Sequence, residues 1–168
     1  EDQKKKQEFF PFDVKRFEKK VSEMKEKIAK TKLGEGLKTR GTTLWLPITN
    51  ERSWVPVRNF QDSYVDPDKI KGILPENWSN IKSKNIETCF GCPVDCGFLR
   101  RIINGPYKGT ETASCEANTF WDFSYKLDIY DPAVVIKAHE VCNKYGLDVD
   151  SVSGAISWAY ECYEKGIL

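Results

Sequence analysis

Cys89-Phe90-Gly91-Cys92-Pro93-Val94-Asp95-Cys96-Gly97 sets three thiols in the order Cys-x2-Cys-x3-Cys within eight residues. Thiols this close on a tight turn converge their sulfurs on one point, and that point is most simply a metal centre. Gly91, Pro93 and Gly97 suit such a loop, because a wrapped backbone needs permissive or pre-set angles. A structural zinc site would show a second Cys or Cys/His pair at similar spacing. None follows: Cys115, Cys142 and Cys162 stand singly, and His139 is the only histidine. An iron–sulfur cluster tolerates a distant fourth cysteine. The cluster reading therefore leads, ahead of structural zinc and of free or disulfide-forming thiols.

The flanks say less. Upstream, Gly41 to Pro75 carries Pro47, Pro56, Pro67 and Pro75 among aromatics with no sustained period, which predicts long irregular structure. Within it, Trp54 to Gln61 reads WVPVRNFQ. Arg58 and Asn59 could hold a phosphate or a heterocycle edge, although a structural loop is the stronger reading. A short helix is expected after Glu76. Downstream, FLRRII followed by Asn104-Gly105 predicts a small hairpin with a two-residue turn. Arg100 and Arg101 lie where positive charge would favour a reduced cluster. Glu111 and Glu116 stand among small and aromatic residues, a setting that predicts poor solvation and a raised carboxyl pKa.

The two ends are more periodic. From Asp13, the residues Val14, Phe17, Val21, Met24 and Ile28 recur at helical steps, predicting an amphipathic helix capped by Asp13 and ended by Gly34 and Gly36. Glu23 with Lys27 and Glu26 with Lys30 are expected ion pairs on its wet side. At the other end, Asp131-Pro132 starts a helix whose apolar stripe is Val135, Ala138, Cys142 and Tyr145, stopped by Gly146. A last helix from Asp150 or Ser151 is expected to bury Val152, Ile156, Ala159 and Tyr163. His139, Cys142 and Cys162 read as packing residues rather than ligands.

The fold class expected is mainly α: an irregular multi-helix domain with a cysteine loop and a small hairpin, part of a larger multidomain subunit. The 168 residues are treated as one unit, with residues 1–50 the least certain part. Hydrophobic content of 40% predicts a globular chain, and a net charge of +1 gives no reason to expect nucleic acid or a membrane surface as partner. With no bilayer-length apolar run and a clustered cysteine triplet, a reducing cytoplasm is expected.

Taken in order, WVPVRNFQ, CFGCPVDCG, the ETAS segment at Glu111, CNKYGLDVDS and ECYEKGIL resemble the tungsten-containing aldehyde ferredoxin oxidoreductase family over Trp54 to Leu168. The resemblance implies a tungsten bis-molybdopterin (tungstopterin) centre, with magnesium as an accompanying ion, next to a 4Fe-4S cluster. It implies oxidation of small aldehydes to carboxylic acids, with electrons passed to ferredoxin or an iron–sulfur electron-transfer subunit. Cys89, Cys92 and Cys96 would be three cluster ligands, the fourth coming from remaining domains of the same subunit. The family's Asp-x-x-Gly-Leu-Asp pterin motif falls on Asn143, Gly146, Leu147 and Asp148, with an amide where the first acid would stand. Asp148 would centre a buried pterin dock, and Glu111 would handle the substrate's proton. At the family's Glu-x-x-His bridging-iron pair stand Lys137 and Glu140, so that iron is not expected. The runner-up functions are a reductive family member acting on aryl-coenzyme A thioesters and a zinc-stabilised interaction module without catalysis.

Overall fold

A computed structural model describes residues 11–86, 89–113 and 116–168. Helix α1 (Val14–Ala29) starts where Asp13 accepts a hydrogen bond from the Arg16 amide at 3.0 Å. Its apolar stripe forms as the spacing predicts, yet Val14, Phe17, Met24 and Ile28 are exposed and the helix buries none of its residues. Of the expected pairs, Lys30 meets Glu26, while Glu23 is bridged by Lys20 at 2.8 Å. Helix α2 (Lys32–Arg40) follows, with Thr31 accepting from the Gly34 amide at 2.9 Å. Gly34 and Gly36 thus lie inside α2 rather than ending α1. A Cβ on Gly34 would come 2.4 Å from the Ile28 carbonyl, so glycine lets α2 start against the end of α1.

The stretch expected to be irregular is half helical. Gly41–Leu44 is a 3-10 turn and Trp45–Glu51 is α3, which accommodates Pro47 in its first turn, where a proline costs no helical hydrogen bond. The irregular part is the loop after it. Buried Asn50 closes that loop, donating from Nδ2 to the Val65 carbonyl at 2.7 Å and accepting from the Val65 amide at 3.0 Å. Pro67–Ile70 is α4, capped by Asp66 with the proline at its start.

Beyond Glu76 the expected helix is only a 3-10 turn, Pro75–Asn77, and the chain continues into strand β1 (Ile81–Ile86). Strand pairing overrides local preference here. Strands β2 (Gly97–Ile102) and β3 (Glu111–Ala113) complete an antiparallel sheet in the order β1-β2-β3, with Ile86 opposite Gly97 and Arg100 opposite Thr112. The hairpin exists, but its connection is longer than two residues: the Gly109 amide bonds Ile102 and the Ile102 amide bonds Thr110, each at 2.9 Å.

The core gathers Leu46, Ile73, Ile102, Phe120, Tyr125, Val135 and Ile136, all fully buried. Phe120 and Tyr125 come from α5 (Ala117–Phe120) and the π turn Trp121–Tyr125 that continues it. Helix α6 (Pro132–Tyr145) is capped by Asp131 and ended by Gly146 in the left-handed region, φ 65°. It buries Val135, Ile136, His139 and Cys142, whereas Tyr145 is exposed, against expectation. Helix α7 (Val149–Glu164) is capped by Asp148 and buries Ser153, Ser157 and Cys162. Val152 and Ile156 are only partly covered and Tyr163 is exposed, because the small Ser face allows close approach and hydrogen bonding to the layer beneath. The expected class, mainly α with a cysteine loop and a small hairpin, is the one observed.

Gly41 ties this frame to the cysteine loop. Its φ of 66° lies in the left-handed region, and a Cβ there would sit 2.9 Å from the Cys96 carbonyl. Gly41→Ala should cost about 1–3 kcal/mol from backbone strain, read as a lower urea midpoint. A cost near zero would mean that the α2 end and the cysteine loop can separate freely.

Candidate redox-centre site

The cysteine loop closes through the Cys92 amide, which donates to the Cys89 carbonyl at 3.1 Å. Gly91 (φ 71°) and Asp95 (φ 49°) supply left-handed turns on either side of Cys92. Asn85, on β1, stitches the loop down: Nδ2 donates to the carbonyls of Asp95, Gly97 (3.3 Å) and Lys38 (3.4 Å). Cys89 is exposed, while Cys92 and Cys96 are half-buried. Among the described residues no three His, Cys, Asp or Glu side chains are arranged to hold a metal ion, so the expected convergence of sulfurs is not reached there. Cys115 lies outside the described residues.

Burial pushes the Cys96 thiol up, and negative charge from Glu116, Cys92 and Cys89 adds to that. Glu116 is held in place: Oε2 accepts from the Thr42 amide at 3.2 Å and from the Thr42 hydroxyl, and that hydroxyl accepts from the Ala117 amide at 2.9 Å. Glu111, on β3, is exposed, so the expected poor solvation is absent there. Arg101 is exposed as well, but Arg100 is almost wholly buried, its guanidinium 4.8 Å from the Trp78 ring centre and 5.1 Å from that of Phe98. Its Nη1 donates to Ser83 at 3.1 Å.

From β3 the site continues to α6. The Thr112 hydroxyl lies 3.0 Å from His139 Nδ1, and Asn143 Nδ2 lies 3.3 Å from both. Burial lowers the His139 pKa, with Glu116 acting the other way, so this packing histidine is neutral near pH 7. Asn143, Gly146, Leu147 and Asp148 then form an exposed turn, closed by the Leu147 amide on the Cys142 carbonyl at 2.9 Å. The expectation of a buried dock at Asp148 is corrected: the carboxylate is exposed, and Oδ2 serves as the α7 cap, accepting from the Ser151 amide and hydroxyl at 2.8 and 2.6 Å. Those bonds hold its pKa below the ordinary carboxylate value. Lys137 and Glu140 bridge each other at 2.7 Å.

Arg58 and Asn59 are engaged elsewhere. Arg58 Nη2 donates to Glu164 at 2.9 Å, Asn59 Nδ2 donates to Glu161 at 2.6 Å, and Asn59 Oδ1 accepts from Ser157 at 3.1 Å. The geometry makes them a clamp between the loop and α7, in place of the expected cofactor contacts. Sequence reasoning missed Thr42, Asn85 and Thr112, whose partners are remote in the chain. It also missed Asp122 and Lys126, whose i,i+4 spacing was a usable signal.

Residues 19–168 match the family model described as aldehyde ferredoxin oxidoreductase, domains 2 and 3, a match that reaches further toward the N-terminus than Trp54. The chain is 34% identical over 134 residues to a tungsten-containing aldehyde ferredoxin oxidoreductase of Pyrococcus furiosus, covering 79% of this chain and 21% of that protein. It is 31% identical over 160 residues to the protein of the same name from Pyrococcus horikoshii, covering 93% and 25%. An aliphatic sulfonate oxidoreductase, WOR-like subunit, of Pyrococcus furiosus is 29% identical over 121 residues, covering 72% and 19%. The chain thus spans a quarter or less of the length of these relatives. No described helix is long and apolar enough to cross a membrane. On the extent of the family match, the chain belongs to the aldehyde ferredoxin oxidoreductase family.

Proposed function

We propose that this chain is the cluster-holding, pterin-facing part of a cytoplasmic tungsten-pterin oxidoreductase that oxidises aldehydes to carboxylic acids and passes the electrons to ferredoxin. One observation carries the reading. Strand β2 springs from Cys96 and pairs with β3, and Thr112 on β3 is bonded to Asn143 of the Asn-x-x-Gly-Leu-Asp turn. The two sequence elements that the family uses for its two redox groups are therefore one strand apart.

The donor set suits an iron–sulfur cluster in kind. Cys89, Cys92 and Cys96 offer three soft sulfurs on one loop, and the charges that oppose ionisation of Cys96 are those that bound iron would offset. The turn from Asn143 to Asp148 offers an exposed carboxylate and backbone groups, which suit the donor-rich edge of a pterin. When bound, tungsten and pterin supply two-electron redox chemistry and the cluster a one-electron relay. Oxidation of an aldehyde with water to the acid releases two electrons and two protons. Exposed Glu111 is the carboxylate free to take one of those protons, whereas Glu116 is tied to Thr42.

Elemental analysis of the anaerobically purified protein tests this. About four iron and four acid-labile sulfide, with tungsten and pterin, is the expected result. One zinc with neither iron nor sulfide would replace the redox reading with a zinc-stabilised interaction module.

A further inference from the structure

Helix α1 carries an apolar stripe that nothing among the described residues covers: Phe17 and Met24 are each 53% exposed, and no residue of the helix is buried. Its charge is lopsided too. Six Lys and Arg stand against three Glu between Val14 and Ala29, so this one helix holds an excess of three positive charges in a chain whose net charge is +1. At about 100° per residue, Arg16, Lys20 and Lys27 run along one border of the stripe and Lys25 lies on the other, while Glu23 and Glu26 fall on the opposite side of the helix. Lys20 bridges Glu23, but Arg16, Lys25 and Lys27 form no ion pair among the described residues.

The helix also runs beside the cysteine loop. A Cβ on Gly91 would lie 3.9 Å from Lys25 Nζ, so this ammonium sits against the loop between Cys89 and Cys92. Phe90, next in the chain, is fully exposed, and Cys89 beside it is the exposed thiol of the three.

An apolar centre rimmed by cations is the anatomy of a transient protein interface, whereas surfaces buried for good within an assembly are more hydrophobic and carry fewer charges. A positive rim also steers an acidic partner onto the correct face. We propose that α1 and the tip at Phe90 form the docking face for a small acidic electron-carrier protein of the ferredoxin type. Its carboxylates meet Arg16, Lys25 and Lys27, and its apolar patch covers Phe17, Met24 and Phe90. The inference rests on the redox reading above and puts the carrier at the exposed end of the cysteine loop, closest to Cys89.

Titration calorimetry of the purified protein with an acidic 4Fe-4S ferredoxin tests it. Saturable binding at about 50 mM salt, weakened about tenfold or more at about 300 mM, is expected because exposed charges are screened over that range. Lys25→Glu with Lys27→Glu should weaken it at least about tenfold, and Met24→Ser severalfold. All three positions are exposed on a helix that buries nothing, so the variants should fold, which circular dichroism checks. Lys82→Glu with Lys108→Glu makes the same change of charge at the other end of the sheet, where Lys82 is opposite Arg101, and should alter binding by less than about twofold. Binding is read without electron transfer, so missing iron in these samples would sink the redox reading alone. No binding at low salt, an equal loss in both double variants, or adsorption to phosphatidylserine vesicles in place of ferredoxin overturns the docking face.

Discussion

Replacing Asp122 by alanine should lower stability by about 3 kcal/mol, the low end of the range for removing one partner of a buried ion pair. The side chains of Asp122 and Lys126 are 2% and 12% exposed, so the ammonium left behind is poorly hydrated. Asp150, 4.0 Å from it, takes over part of the role, which keeps the effect from being larger. The variant also removes the acceptor for Ser153, loosening α7 from the π turn. For a chain of this size the loss corresponds to a melting temperature lower by about 6–12 °C. A pH signature accompanies it. Burial, with Asp150 beside it, pushes the Asp122 carboxyl from 3.8 up to about 6, against the pull of Lys126 and Ser153. The folded state therefore binds more protons than the unfolded one between those values, and this group's contribution falls as pH rises through that window. The melting temperature of the wild type should fall as pH rises from 4 to 7 by this group's share, and that share of the slope should be missing in the variant, which stays the less stable of the two at pH 7. A variant within 1 kcal/mol of wild type would mean that Lys126 reaches water.

Cys96→Ser should remove the iron. With one of three local sulfurs replaced by a harder oxygen, iron and acid-labile sulfide in anaerobically purified protein should fall about tenfold or more. The fold should survive, since the thiol is half-buried and the residues on either side are held, Gly97 by pairing with Ile86 and both Asp95 and Gly97 by Asn85. Cys142→Ser is the matched control. That thiol is 2% exposed among core side chains, so the change should cost stability and leave iron as it was. The opposite pattern, iron kept in Cys96→Ser and lost in Cys142→Ser, would move the centre away from the loop.

Both helix caps at the C-terminal end were legible because their signals are local. Asp131 with Pro132, and Gly146 in its left-handed turn, need only their immediate neighbours to act. The cysteine loop is local in the same way, closed as a turn by the Cys92 amide on the Cys89 carbonyl with Gly91 and Asp95 in left-handed turns. The predicted stripes of α1 and α7 show the limit. Periodicity defines an apolar face but not what meets it, and the α1 stripe is exposed while α7 turns its serines inward.

Long-range pairing decided the rest. Strand β1 has a weak local pattern and exists because β2 supplies its hydrogen bonds, and Thr42 reaches Glu116 across 74 positions. The chain's own chemistry thus established the caps and the family. The folded arrangement alone brought Thr112 to Asn143 and sent Arg58 and Asn59 to α7. The physical reason is that caps and turns are settled by interactions within a few residues, whereas partners across the core are chosen by packing that no short stretch of sequence encodes.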